Sequence, residues 1–302
     1  MQVTEAQTTR CGIVEDPWLG EILGCSAGRL EVSSSTDASV ADWRHAIEGF
    51  QRARSTVAAD LFLTAKVATD DVATVATLSQ AGLYVVDVNV TLERRLEPDG
   101  PPTSKTVMPE TTRSEAVRIA RVSDEDLANT DGSIVARGTE EKDAFVEIAR
   151  SAFRYSRFHL DPAISPTAAD AVKASWFANS LSGKRGDQVW LAWWNDRPAG
   201  FLTSVWVQPT AMNSPGQQTN GGTAVIDLVA VSPHAQGAGI GRALTRAFVH
   251  HYTSDAPCSL RVGTQVANLP AQSLYLSCGF RPAQATYVMH GHFSAHTFKF
   301  DH

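Results

Sequence analysis

Cysteine is scarce in this chain, and basic side chains do not outnumber acidic ones. The four cysteines, Cys11, Cys25, Cys258 and Cys278, form no close pair, which argues against a disulfide framework and leaves buried free thiols in a reducing compartment as the default reading. No apolar run reaches the roughly 18 residues a bilayer-spanning helix needs. The start, "MQVTEAQTTRCGIVED", lacks the basic opening and apolar centre of a secretion signal, so a cytoplasmic location is expected. With 26 Lys and Arg against 32 Asp and Glu, a formal charge of −6, nothing favours wholesale binding to nucleic acid or an anionic membrane.

What is present suits an ordinary globular protein: 302 residues, 43% of them apolar, enough for about two domains with their own cores. "DLFLTAKV" predicts a strand, "DDVATVATLSQAG" a helix stopping at Gly82, and "LYVVDVNVTLE" another strand. Prolines and small polar residues between Leu96 and Arg113 mark a linker. The expected division is therefore 1–95, a small α/β unit; 96–113, a linker; and 114–302, a second unit. In the second, "EAVRIARV", "QVWLAWWN", "PAGFLTSVWVQ", "TAVIDLVAVS", "CSLRVGTQV" and "ATYVMHGHF" predict strands. Helices are predicted at "EEKDAFVEIARSAF", "PTAADAVKASWFANSL", after Gln236, and at "LPAQSLYLSCG". "TLSQAGLYVVDVNVTL" and "SLYLSCGFRPAQATYVM" share a helix, glycine, strand order, a local echo between the halves.

The stretch "VSPHAQGAGIGRALTRAFVHHY" carries the chemistry. Gly237, Gly239 and Gly241 precede an apolar helical run, where a glycine-rich turn offers unpaired N–H groups and the positive end of a helix dipole to a phosphate. A dinucleotide fingerprint needs a third glycine where Arg242 stands, and a Walker loop needs a closing Gly-Lys-Ser/Thr. Neither fits. The match is Q-x-x-G-x-G at Gln236, Gly239 and Gly241, after a strand ending in "AVSP".

Those residues, followed by Asn268, Tyr275 and "LYLSCGF", resemble the acyl-coenzyme A site of the GCN5-related N-acetyltransferases (GNAT) over about residues 114–302. The resemblance implies an α/β fold of the α+β kind: a central mixed, mostly antiparallel sheet flanked by helices, after a smaller α/β unit that is a partial GNAT-like half. It implies a coenzyme A thioester as acyl donor, held by the backbone of Val229 and Val231, by the turn Gln236, Gly237, Ala238, Gly239, Ile240, Gly241 and Arg242, and by Asn268. "YSRFHLDP", "GKRGD" and "VIDLVAV" are similar to the dTDP-fucosamine acetyltransferase group, which implies a nucleotide-linked amino-deoxysugar as acceptor and an N-terminal unit that helps shape the acceptor side.

Acyl transfer to an amine needs a neutral amine, a stabilised oxyanion and a proton for the departing thiolate. Backbone N–H near Val229 suits the oxyanion, and the Tyr275 hydroxyl can donate the proton. Asp227 lies two residues before Val229, so an unbroken strand puts its side chain on the same face as those of Val229 and Val231, where it could bind or deprotonate the ammonium. A salt-bridged structural carboxylate is an equal reading of Asp227. His159 and Asp161 are the acceptor-side candidates. His290, His292 and nearby His296 invite a metal, but no acidic or thiol ligand accompanies them in sequence, so no metal is expected. A homodimer is left open. The alternatives to the aminosugar reading are N-acetylation of an aminoglycoside-like metabolite or amino acid, and a coenzyme A-binding module without transfer.

Overall fold

The computed structural model describes residues 11–32, 38–54, 60–96, 117–122, 139–208, 222–253 and 259–294. Eight α-helices and ten strands lie among them, a mixed α/β protein whose sheet strands carry helices on their faces. The chain groups into two compact units: Met1–Asn89 with Arg157–Ala168 and Ala285–His302, and Val90–Ser156 with Ala169–Gln284. These groupings are not contiguous in sequence. The proposed linker, 96–113, lies outside the described residues but for Leu96.

In the first unit, β1 (Gly12–Glu15), α1 (Pro17–Leu23), β2 (Ser26–Glu31) and α2 (Val40–Arg54) precede the predicted elements. Asp16 starts α1 by accepting the Leu19 N–H at 3.1 Å, and Gly24, at φ 71°, ends it. β3 (Leu61–Ala68) pairs parallel with β2 and antiparallel with β10 (Arg281–Phe293), residues Leu61–Ala68 against Thr286–Phe293. Trp43, Ile47, Leu63, Leu78 and Met289 form the buried centre. α3 (Val72–Gln80) and β4 (Tyr84–Arg95) complete the unit, although β4 and β10 each extend into the second.

In the second unit, β5 (Val117–Val122), β6 (Gln188–Trp194), β7 (Arg197–Val207) and β8 (Thr223–Val231) pair antiparallel in that order, and β9 (Ser259–Gln265) joins β8 in parallel. Asn195 and Asp196, at φ 50° and 57°, make the predicted tight turn between β6 and β7. Alternation along the strands feeds two cores. Phe145 of α4 (Thr139–Ala152) and Phe177 of α6 (Pro166–Leu181) pack with Leu191, Phe201 and Leu228. Phe248 of α7 (Ile240–Thr253) and Tyr275 of α8 (Leu269–Ser277) pack with Trp190, Leu202 and Ile226. The short α5 (Arg157–Leu160) belongs to the first unit.

The local echo seen in sequence has a geometric counterpart. After α3 the Leu83 N–H donates to the Leu78 carbonyl across Gly82, at φ 105°; after α8 the Phe280 N–H donates to the Tyr275 carbonyl across Gly279, at φ 86°. Both helices end through a left-handed glycine and turn directly into a strand.

Candidate active site

A gap between two neighbouring strands makes the site. β8 pairs with β7 through to Val231, but its parallel pairing with β9 stops at Ile226 and Val262, although both strands run on. Beyond that point the β9 side of β8 has no strand partner among the described residues, and a cleft of about 950 Å³ opens there, lined by residues 226–231, the 236–242 turn, residues 262–265 and α8. A backbone edge inside a cleft is costly unless water or a ligand completes it.

The strand also changes face at this point. The β7–β8 register shifts between Thr203 and Ser204, which pair with Leu228 and Ile226, so Asp227 is an extra residue with no partner in β7. The Thr203 hydroxyl accepts the Leu228 N–H at 3.1 Å beside this bulge. As a result Ile226 packs into the α7–α8 core and Leu228 into the α4–α6 core, although they are two residues apart. The expectation that Asp227 shares a face with Val229 and Val231 fails for this reason. Val229 and Val231 pack towards α7 and α8. Asp227 instead reaches Trp176 and Arg185: Oδ2 accepts from Trp176 Nε1 at 2.7 Å and Arg185 Nε at 2.9 Å, and Oδ1 accepts from the second Arg185 nitrogen at 3.1 Å. Arg185 in turn lies 4.3 Å above the Trp176 ring. An acceptor ammonium would have to compete with a forked guanidinium for this carboxylate.

Across the cleft, the glycine turn presents an anion cradle. Ala238 donates to the Ala235 carbonyl and Ala243 to that of Gly239, but the N–H groups of Gly237, Gly239, Gly241 and Arg242 find no acceptor among the described residues. The glycines divide by role. Gly237 and Gly239 both have φ 81°, and a side chain at either would meet no atom within 4 Å; they hold the turn and leave the approach clear. At Gly241 a Cβ would stand 3.2 Å from the Leu274 side chain, so close packing of α7 on α8 also requires this glycine.

Tyr275 lines the same cleft. Its side chain is 2% exposed, its ring meets Phe280 edge-on, and its hydroxyl has no hydrogen-bond partner among the described residues. Burial, and then the nearby Cys278, push its pKa well above the usual phenol value, so the group carries its proton throughout the neutral range. Asn268 has a local task that the sequence comparison overlooked. It caps α8, its Oδ1 accepting the Ala271 N–H at 3.2 Å, ahead of Pro270. Asn268 also lines the cleft.

His159 and Asp161 do not join this cleft; they belong to the other compact unit. Asp161 is 1% exposed. Its Oδ2 accepts from His290 Nδ1 at 2.6 Å and His292 Nε2 at 2.9 Å, and its Oδ1 from the Tyr84 hydroxyl at 2.6 Å and the Ala163 N–H at 2.9 Å. Asp161 is thus a buried carboxylate that already accepts from four donors within its own unit. Burial alone would raise its pKa, but the donors from His290, His292, Tyr84 and Ala163 hold it far below the usual carboxylate range.

The fold also supplies the acid that the histidine pair lacks in sequence, since one ligand atom each of Asp161, His290 and His292 lies within 4.8 Å of the others. Ligands about 2.0–2.1 Å from one tetrahedral ion stand about 3.3 Å apart, so the 2.6 and 2.9 Å separations are those of hydrogen bonds. His296 lies outside the described residues. Trp176 and Arg185 are the site residues that sequence reasoning missed; only the "GKRGD" resemblance touched one of them.

An open strand edge, a glycine turn with free N–H groups among the described residues and a protonated tyrosine thus meet at one cleft. Residues 143–280 match the Acetyltransferase (GNAT) family. Over 150 residues, 50% of this chain and 47% of the relative, the chain is 27% identical to the Spore coat polysaccharide biosynthesis protein SpsD of Bacillus subtilis (strain 168). Over 95 residues, 29% of this chain and 31% of the relative, it is 33% identical to the Mycothiol acetyltransferase of Kocuria rhizophila. The chain thus spans about half the length, or less, of these curated relatives. The crystal structure of a GCN5-related N-acetyltransferase from Sphaerobacter thermophilus shares the fold at a TM-score of 0.52, with 13% identity, covering 94% of this chain and 76% of that one.

Proposed function

We propose that the protein is an acetyl-coenzyme A-dependent N-acetyltransferase whose acceptor is a primary amine on a nucleotide-linked amino-deoxysugar. The observation that carries the transferase reading is the end of β8–β9 pairing at Ile226 and Val262, directly beside the N–H groups of the 236–242 turn. Acetyl-coenzyme A supplies the activated acetyl group when bound. The turn holds its diphosphate through the N–H groups of Gly237, Gly239, Gly241 and Arg242, the β9-facing backbone of Val229 and Val231 pairs with the pantetheine arm, and the Asn268 amide adds a donor. A backbone N–H at Val229 stabilises negative charge as it builds on the acyl oxygen, with little reorganisation. The Tyr275 hydroxyl gives its proton to the departing sulfur. Asp227 acts here through Arg185 and Trp176, fixing that wall of the cleft, and the proton acceptor for the amine is left unassigned.

The acceptor reading rests on the "YSRFHLDP", "GKRGD" and "VIDLVAV" resemblance, with support from a relative named for spore coat polysaccharide biosynthesis. The test is thiol release from acetyl-coenzyme A with nucleotide-linked aminosugars, free aminosugars, aminoglycosides and amino acids. The highest kcat/KM is expected for a nucleotide-linked aminosugar. A preference for an aminoglycoside or amino acid overturns the acceptor reading, and tight coenzyme A binding without turnover across the panel overturns the transferase reading.

A further inference from the structure

A second cleft, of about 1260 Å³, lies in the transferase unit and shares no lining residue with the acyl cleft. Its walls come from the end of β4, the C-terminal half of α7, the beginning of β9, and the turn from α8 into β10. Parallel β8 and β9 place the acyl cleft at their C-terminal ends, whereas Arg261 stands near the start of β9, so the two clefts flank opposite ends of that strand.

The second cleft is cationic in a chain that is acidic overall. Arg94, Arg95, Arg246, Arg261 and Arg281 line it with His250, and the single acid among its lining residues is Glu93. Glu93 is already held by Arg95 at 2.9 Å and Arg261 at 2.8 Å. Arg94 donates to the Cys278 carbonyl at 2.7 Å, and Arg281 to that of Phe280 at 2.9 Å. This explains their placement at the end of α8, yet a neutral carbonyl leaves the guanidinium charge uncompensated. Arg246 and His250, one turn apart on α7, have no side-chain partner among the described residues. Among the described lining residues, Glu93 paired with Arg95 and Arg261 still leaves Arg94, Arg246 and Arg281 without a carboxylate, a positive field in a concave, exposed space.

We propose that this cleft binds a small phosphorylated metabolite at a site separate from the acyl cleft. Guanidinium forks suit the several oxygens of a phosphate group. The Thr91 hydroxyl adds a further donor, whereas the Ser277 and Thr253 hydroxyls already donate to the Leu274 and His250 carbonyls. Among the described residues no aromatic side chain lines the cleft to stack a base, so the phosphates are what these residues would recognise, without the base-stacking platform of a single-stranded nucleic-acid site.

Calorimetric titration of the full chain with inorganic tripolyphosphate tests this, with coenzyme A present at saturation so that the acyl-site cradle is filled. A dissociation constant of about 10–100 μM is expected, with Arg246→Gln and Arg261→Gln each weakening it about tenfold while coenzyme A affinity and the circular dichroism spectrum are unchanged. The proposal is overturned if no heat develops up to about 5 mM probe, or if the double variant binds as tightly as the parent. It is equally overturned if a single-stranded oligonucleotide binds this cleft, as judged by loss in the double variant, more tightly than tripolyphosphate does. Failure of coenzyme A to bind would bear on the acyl site alone, because the tripolyphosphate titration can also be read from its dependence on Arg246.

Discussion

Removing one oxygen, in Tyr275→Phe, separates the two readings of this residue. The ring is 2% exposed and packed against Phe280, and Phe preserves both. The hydroxyl has no partner among the described residues, so the usual loss of about 1 kcal/mol for a deleted intramolecular hydrogen bond does not apply. Melting temperature should therefore stay within about 2 °C of the parent. As general acid for the departing sulfur, the hydroxyl is worth about 10²–10⁴ in rate, or about 2.7–5.4 kcal/mol of barrier at about 1.36 kcal/mol per decade. We expect kcat to fall within that range while coenzyme A affinity changes by less than about threefold, because the lost interaction belongs to the transition state. Burial raises the phenol pKa, so the deficit should be constant between about pH 6 and 9. Steady-state and single-turnover kinetics, calorimetry and a melting curve make the measurement. Retention of more than about half of kcat, with chemistry rate-limiting, would return Tyr275 to core packing; so would a large stability loss with unchanged turnover per folded molecule.

Gly239→Val should weaken coenzyme A at least about tenfold by filling the approach to the turn, and should also cost about 1–2 kcal/mol of stability because φ is 81° there; unchanged affinity on the folded protein would remove the turn from the binding site. A chain starting near Arg113 loses β3, the partner of Thr286–Phe293, and should aggregate and lose acceptor turnover; a soluble, fully active product would refute this. Two buried groups set opposing pH dependences. Burial lowers His290 to about 4, so the unfolded chain takes up that proton first and stability falls as pH drops from about 6.5 to 4. Burial raises Asp87 to about 6, so the folded chain takes up its proton first and stability rises over nearly the same interval. Asp87→Asn should therefore uncover a loss of up to about 3 kcal/mol between about pH 6.5 and 4 that the parent largely masks; urea midpoints with equal slopes in both proteins would contradict the assignment.

The helices and strands that were legible in sequence are those whose signals are local. α6 begins at Pro166 and ends at Leu181, as its proline and Gly183 indicate, and the "NDRP" turn needs only two residues that tolerate positive φ. The helix after the glycine cluster starts at Ile240, later than Gln236, because a short 3₁₀ turn at Pro233–Ala235 comes first. β1, α1 and β2 run only 4, 7 and 6 residues, too short for a period to emerge, and α2 was missed with them. The glycine turn and Tyr275, singled out in the sequence, line one cleft. The Asp161 cluster was not legible: 129 residues separate Asp161 from His290, and its members meet only when α5, β4 and β10 fold into one unit.

The bulge at Asp227 shows why part of the site could not be read from a pattern. "TAVIDLVAV" alternates apolar and less apolar positions, and burial alternates along all of β8, as it would in a regular strand. Both cores, however, accept aliphatic residues, so a switch of face between Ile226 and Leu228 leaves no trace in hydrophobicity. Its consequence is chemical: the extra residue turns the one carboxylate of the strand towards Trp176 and Arg185, and it coincides with the last β8–β9 pair. Past that pair β8 keeps β7 as its only strand neighbour among the described residues, and the backbone groups facing β9 have no strand pairing there. Such groups are tolerated where something polar completes them. An extended amide-bearing arm can do so, and its diphosphate would then reach the N–H groups of the turn that follows the same strand. One irregularity in β8 thus accounts both for the open strand edge in the cleft and for the failure of simple alternation to assign Asp227 its neighbours.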